Sequence, residues 1–352
     1  MPASSASHPA DTVCRVAPVT HGGIPDQVEP SRRCTFSVVI CTRNRDQFLA
    51  DTIRSVLEQQ YPQDRYELLV VDNGSRDATR AVVEPYVASS RAPVSYHRES
   101  RLGVSFARNL GIARSRHEYV AYLDDDVVAG PGWLAALDQA ITEHGALVVG
   151  GRIEPVLEPS LVAPSWWSDG NVRSLFGLDH SRHLPGERVA AIRWPLWLGT
   201  GNSAYARQLL MSCGGFRTDF GPRGSRRHVA EDVYLNLQLE RARVPIYYAH
   251  DAWVRHRVTG DQLTRRSVWR RTYWSGVMQA VAVSMLDRPS SAAHLPHLAG
   301  AAPRLLTARE PARTVAGCRL AFGMGSLRGR WTVARRERPR AAAAERRRSA
   351  ER

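Results

Sequence analysis

FSVVICTRNRDQFLADTIRSVLEQQYPQDRYELLVVD, residues 36–72, decides how the chain reads. Its first seven residues, Phe36 to Thr42, form a short apolar run rich in β-branched side chains. That is the pattern of a parallel strand buried on both faces. Phe48, Leu49, Ile53, Val56 and Leu57 then fall on one face of a helix, which Tyr61-Pro62 stops. A second strand, YELLVVD (66–72), ends in the turn Asn73-Gly74-Ser75. Strand, helix, strand in this order is a parallel β-α-β unit.

The same grammar continues outward. The pattern predicts a helix over 78–87, a strand over 94–99, a helix over 106–115 and a strand over 118–124. The expected fold class is α/β: a doubly wound, mostly parallel sheet flanked by helices. In such sheets ligands bind beyond the carboxyl ends of the strands. Thr42, Arg43, Asp72 and Asp124 to Asp126 stand there. Farther on, the pattern predicts a helix over 133–144, a strand in ALVVGGRIEP, a Pro-, Trp- and Gly-rich excursion over 155–195, and helices over 229–243 and 263–287. Residues 1–33 are rich in Ser, Ala and Pro without period and read as a disordered lead. One domain is expected over 34–287, with a nucleotide-binding half (34–150) and an acceptor or catalytic half (151–287). A helical extension and an arginine-rich, partly disordered tail fill 288–352.

Of the 352 residues, 43% are hydrophobic and 23% charged, as in soluble globular proteins. The net charge of +14 favours anionic partners: nucleotide phosphates, nucleic acid or an acidic membrane surface. The first residues have no basic and apolar pattern of a secretory signal, and no apolar run is long enough to span a bilayer. Five scattered cysteines without CxxC spacing argue against zinc and fit free thiols in a reducing compartment. The expected location is cytoplasmic. The cluster Arg335, Arg336, Arg338, Arg340 and Arg346 to Arg348 reads as a solvated tail or as a patch for the anionic inner face of a membrane.

Asp124-Asp125-Asp126 follows an apolar strand. Adjacent carboxylates repel unless cations compensate, and hard divalent cations accept such oxygens alongside substrate phosphates. Asp72 at the tip of the second strand reads as a contact to a base or ribose, or as an Asp-Asn-Gly turn. LGVSFARNLGI (102–112) offers Gly103 for an unusual turn and Arg108 and Asn109 inside a helix. Glu231-Asp232 opens a helix, where acidic residues are favoured by the dipole as well as by chemistry. His256 reads as structural or as a ligand. Trp166, Trp167, Trp194 and Trp197 either stack on a sugar or fill a core.

Taken together, SVVICTRNR, VVDNGS, GVSFARN, YLDDD, the GGR turn, GTGNSAYAR, GGFRTDFG and the Glu-Asp pair resemble the inverting, bacterial-type family 2 glycosyltransferases of the GT-A fold. The likeness runs from about Phe36 to about Gly276. It implies that Thr42, Arg43, Asp72 and Arg108 line the nucleotide pocket, with Asp125 near the ribose. It implies a DxD of Asp124 and Asp126, with Asp126 holding Mg²⁺ or Mn²⁺ on the diphosphate and His256 as a further metal or diphosphate contact. Asp232 matches the general base, with Glu231, Trp197, Gly201 and Asn202 on the acceptor side. The implied reaction moves one sugar from a nucleotide-diphosphate sugar to a hydroxyl of a glycan, lipid-linked or natural-product acceptor. The QxxRW motif of processive polymerases is absent. The rival readings are a nucleotide-sugar pyrophosphorylase-like nucleotidyltransferase, whose Gly-rich loop after the first strand is missing here, and a basic nucleic-acid binder. Against the latter, the arginine cluster from Arg335 to Arg348 carries no interleaved aromatic residues.

Overall fold

The structure is a computed structural model that describes residues 33–350 apart from 220, 224–225, 229–230 and 286–294. All but the last residue of the expected N-terminal lead therefore lies outside the described residues. The first half alternates as the sequence predicts: β1 (Phe36–Thr42), α1 (Asp46–Leu57), β2 (Tyr66–Asp72), α2 (Thr79–Ser89), β3 (Val94–Arg98), α3 (Val104–Arg114) and β4 (Tyr119–Asp124). These strands pair in parallel in the order β3-β2-β1-β4. Alternate side chains build two cores. Phe36, Val38, Ile40, Leu68 and Val70 face Leu49, Ile53 and Val56 of α1. Val39, Leu69 and Val71 face Ala107 and Ile112 of α3. Burial on both faces is why β1 and β2 read as continuous apolar runs.

Beyond β4 the chain forms β5 (Val127–Ala129), α4 (Trp133–His144), β6 (Val148–Leu157), the single turn α5 (Gly170–Arg173), β7 (Val189–Ile192), β8 (Asn202–Ala206) and α6 (Arg207–Ser212). A small hairpin of β9 (Gly221–Arg223) and β10 (Arg226–His228) precedes α7 (Glu231–Arg241) and β11 (Ile246–Val258). The main sheet continues β4-β8-β6-β11-β5, with β7 also on β11. β8 runs antiparallel to both β4 and β6, so the sheet is mostly parallel. GTGNSAYAR, whose Gly201 and Asn202 are expected on the acceptor side, is therefore partly a central strand.

β11 bends as it crosses the sheet. Tyr247 to Ala249 pair with Val149 to Gly151, and Val254 to Val258 with Ile153 to Leu157, with a bulge between. Gly151 makes this possible, because a Cβ there would stand 1.7 Å from the Ala252 carbonyl oxygen. The chain ends in α8 (Arg265–Met285), α9 (Leu295–Thr307) and α10 (Ala312–Ala350). The last helix takes in most of the segment expected to be partly disordered. Val277 and Val281 of α8 pack on Val233, Tyr234 and Leu237 of α7. Among the described residues no helix is long and apolar enough to cross a membrane. Cys34, Cys41 and Cys318 are free, whereas Cys213 is disulfide-bonded, which departs from the expectation of free thiols throughout.

Candidate active site

Parallel pairing sets the predicted residues along one edge. Register places Thr42 beside Asp72 and Cys41 beside Asp124. Immediately after the three aspartates, β5 pairs with β11, putting Val127 opposite His256. The Arg257 amide donates to the Asp126 carbonyl at 3.0 Å. These pairings bring His256 Nε2 to 3.5 Å from Asp126 Oδ2. His256 Nδ1 lies 2.6 Å from the Phe176 carbonyl oxygen. A carbonyl only accepts, so Nδ1 carries the proton and Nε2 is the atom turned to the carboxylate. Burial alone would lower the imidazole pKa, but Asp126 outweighs it and the pKa rises.

Arg45 closes the other side of the aspartates. Its Nη1 donates to Asp125 Oδ1 at 3.3 Å and pairs with Asp126 Oδ2. Burial opposes ionisation of Asp126, yet His256 and Arg45 hold its pKa down at about 2. Asp125 is pushed up to about 7 by burial and by the charge of Asp126, against the pull of Arg45. Asp124 is also raised, chiefly by burial, although 48% of its side-chain surface stays accessible. Asp124 is thus crowded by charged neighbours and yet open to solvent on one side. Gly201 leaves room for it, since a Cβ there would come 2.6 Å from Asp124 Oδ2.

Arg108 joins the two halves. Its buried guanidinium places Nη2 3.8 Å from Asp124 Oδ1 and donates from Nη1 to Glu231 Oε1 at 2.5 Å. The bridge draws the first turn of α7 to the end of β4. Next in that turn, Asp232 Oδ1 accepts the Val233 amide at 2.7 Å. Burial pushes Asp232 up to about 7, with the charge of Glu231 adding and Arg108 opposing. A carboxyl that changes charge near neutrality is suited to taking a proton from a hydroxyl.

The remaining predicted residues take different places. Asp72 is buried, accepting the Ser75 amide at 2.7 Å and the Tyr96 hydroxyl at 2.6 Å. Thr42 Oγ1 is buried next to Asp125, whose charged form it favours, and Arg43 is exposed beside it. Asn202, expected on the acceptor side, is instead wholly buried. It accepts from Trp133 Nε1 at 2.7 Å and donates to the Arg152 and Ala252 carbonyls, tying β8 to its neighbours. Trp197 packs with Trp194 against Val233 and Tyr234 of α7. Sequence reasoning gave Arg45 no role. The available signal was its position in SVVICTRNR, three residues past a strand whose neighbour ends in aspartates.

Among the described residues no three His, Cys, Asp or Glu side chains form a closed metal cage. Asp126 and His256 Nε2 nevertheless converge, with Asp124 at the same strand end. A sparse set of one or two carboxylates and an imidazole fits a divalent cation that completes its coordination with diphosphate oxygens and water.

Comparison with known proteins agrees with this geometry. The profile of Glycosyl transferase family 2 matches residues 37–186. The chain is 26% identical over 249 residues to the glucosyl-dolichyl phosphate glucuronosyltransferase of Haloferax volcanii, covering 66% of this chain and 74% of that protein. It is 26% identical over 249 residues to the succinoglycan biosynthesis protein ExoM of Rhizobium meliloti, covering 70% and 74%. In fold it is similar to a mannosyltransferase of Pyrobaculum calidifontis solved with GDP-Man and Mn2+, with a TM-score of 0.57 at 18% identity over 86% and 89% of the two chains. The matched profile and the glycosyltransferase relatives together make this chain a glycosyltransferase whose residues 37–186 match family 2, and the solved mannosyltransferase shows the same GT-A architecture.

Proposed function

We propose that this glycosyltransferase moves a single sugar from a nucleotide-diphosphate sugar to an acceptor hydroxyl, with inversion at the anomeric carbon and with Mg²⁺ or Mn²⁺ as cofactor. The observation that carries the reading is the Arg108 bridge, which holds the strand-end aspartates and the Glu231-Asp232 pair against one another. Thr42, Arg43 and Asp72 receive the nucleotide, and Asp125 lies toward its ribose. Asp126 and His256, with Asp124, hold the metal, which when bound neutralises the charge of the departing diphosphate. Arg45 gives Asp126 a cationic partner before substrate arrives. Asp232 takes the proton of the acceptor hydroxyl as its oxygen attacks the anomeric carbon. Trp197, packed against α7, and Gly201, beside Asp124, shape the acceptor side.

The GDP-Man and Mn2+ in the Pyrobaculum mannosyltransferase support both the donor class and the metal. The lipid phosphate in the name of the Haloferax relative supports a lipid-linked acceptor over a free glycan or a natural product. Missing QxxRW supports transfer of one sugar rather than chain synthesis. The test is calorimetric titration of UDP and GDP in the presence of Mn²⁺, in chelator, and with Asp126→Ala. Micromolar binding of one nucleotide that weakens at least tenfold in both controls is expected. Equal affinity in all three conditions removes the metal from the mechanism, and no binding of either nucleotide removes the donor class.

A further inference from the structure

The outer face of α10 carries a feature that sugar transfer does not use. Met324, Leu327 and Trp331 keep 60%, 49% and 55% of their surface accessible. Spaced three and four residues apart, they lie in one stripe along the helix. The opposite face is pressed onto α8. A Cβ at Gly325 would stand 2.0 Å from the Tyr273 carbonyl oxygen, and one at Gly329 2.3 Å from that of Val277. Such backbone-to-backbone contact fixes the rotation of α10 and so turns the apolar stripe outward.

The charge around the stripe is mostly positive. Arg328 lies within it, its guanidinium over the Trp274 ring at 5.5 Å and donating to the Tyr273 hydroxyl at 3.1 Å. From residue 304 to the end the sequence holds fourteen arginines, four glutamates and no lysine or aspartate, a net +10 of the chain's +14.

We propose that this face of α10 docks on an anionic lipid surface, with Met324, Leu327 and Trp331 entering the headgroup boundary and the arginines meeting lipid phosphates. Leucine and tryptophan on one face of an arginine-rich helix are the makings of an interfacial helix. Charge decides between lipid and a second copy of the chain. A symmetric dimer would set one arginine-rich helix against another, whereas an anionic bilayer complements both. The contact differs from attraction by the basic tail alone, because the apolar side chains are specific to two turns of α10. It also has a place relative to the chemistry. α10 rests on α8, and α8 on α7, whose first turn carries Glu231 and Asp232. Two helix layers put the docked surface roughly 20 Å from those carboxylates.

The experiment is sedimentation of the full chain with phosphatidylcholine vesicles and with mixed phosphatidylcholine–phosphatidylglycerol vesicles, alongside light scattering without lipid. Wild type should be monomeric and sediment with the mixed vesicles only. Met324→Ser/Leu327→Ser/Trp331→Ser, which keeps every arginine, should partition at least about tenfold less while melting like wild type. The single change Leu327→Ser should shift partitioning in the same direction and guards against a triple variant that fails to fold. Unchanged sedimentation of both variants would leave charge alone as the cause and overturn the proposal. So would a wild type that ignores anionic vesicles, or one that is a dimer the triple variant dissociates. None of these outcomes depends on nucleotide or sugar transfer, so the proposal stands or falls apart from the enzymatic reading.

Discussion

Asp232 differs from Asp126 in what its neighbours do to its proton. Burial and Glu231 push it up to about 7, whereas His256 and Arg45 hold Asp126 at about 2. If Asp232 is the base, Asp232→Asn should lower transfer on the order of 10²–10⁴-fold and leave nucleotide affinity by calorimetry near wild type. More than about a tenth of wild-type kcat in that variant would move the base elsewhere. The wild-type kcat/KM should climb with pH and level off above about 7, as the carboxylate form fills. Stability should run the other way. A folded-state pKa raised above its unfolded value means that stability is lost as pH rises between the two. Asp232→Asn should therefore melt at or above wild type at pH 8, and the difference should close toward pH 4. Glu231 is the buried partner of Arg108. Glu231→Gln leaves that guanidinium short of a counter-charge, and a loss of about 3 kcal/mol is expected in urea denaturation. The aspartates and the Glu-Asp pair were legible in sequence because carboxylates at a strand end and a helix start stand out. The link between them was not. Arg108 and Glu231 are separated by 123 positions, and nothing local to either residue announces the partner.

At the scale of elements, legibility follows how regular each strand is. β1, β2 and β4 are apolar runs between turns, β3 is a shorter and more polar one, and each appears within a residue or two of its expected span. β5 is three residues long, β8 is built from Asn, Ser and Ala rather than β-branched side chains, and β11 is broken by its bulge. None of the three presents the period that marks a strand. Yet the site depends on them, because β11 delivers His256 to Asp126 through its pairing with β5. We predict that Gly151→Ala, whose Cβ would collide with the Ala252 carbonyl oxygen, destabilises the protein by about 1–3 kcal/mol. It should also weaken metal-dependent nucleotide binding, because the bulge it disturbs sets the reach of the second half of β11. A urea midpoint and a nucleotide titration on the same preparation separate the two effects. Loss of stability with unchanged nucleotide affinity would show that His256 tolerates movement of the bulge.

For the molecule as a whole, a ligand that binds only the folded state raises its melting temperature by mass action. A panel of nucleoside diphosphates and nucleotide sugars should therefore give its largest thermal shift for the true donor with Mn²⁺, and that shift should vanish in chelator. A shift that is the same for every nucleotide, with or without metal, would place binding outside the cleft. One further consequence lies in β8, the strand from late in the chain that fills the gap between β4 and β6. A ribosome adds about 5–20 residues per second. After Leu123 is made, its partner Asn202 follows only some 4–16 seconds later. Throughout that interval the nascent protein offers β4 as an open sheet edge, a ready template for pairing with other chains. The nucleotide half is thus born unfinished, and its hazard in the cell is set by the clock of synthesis rather than by the stability of the final fold.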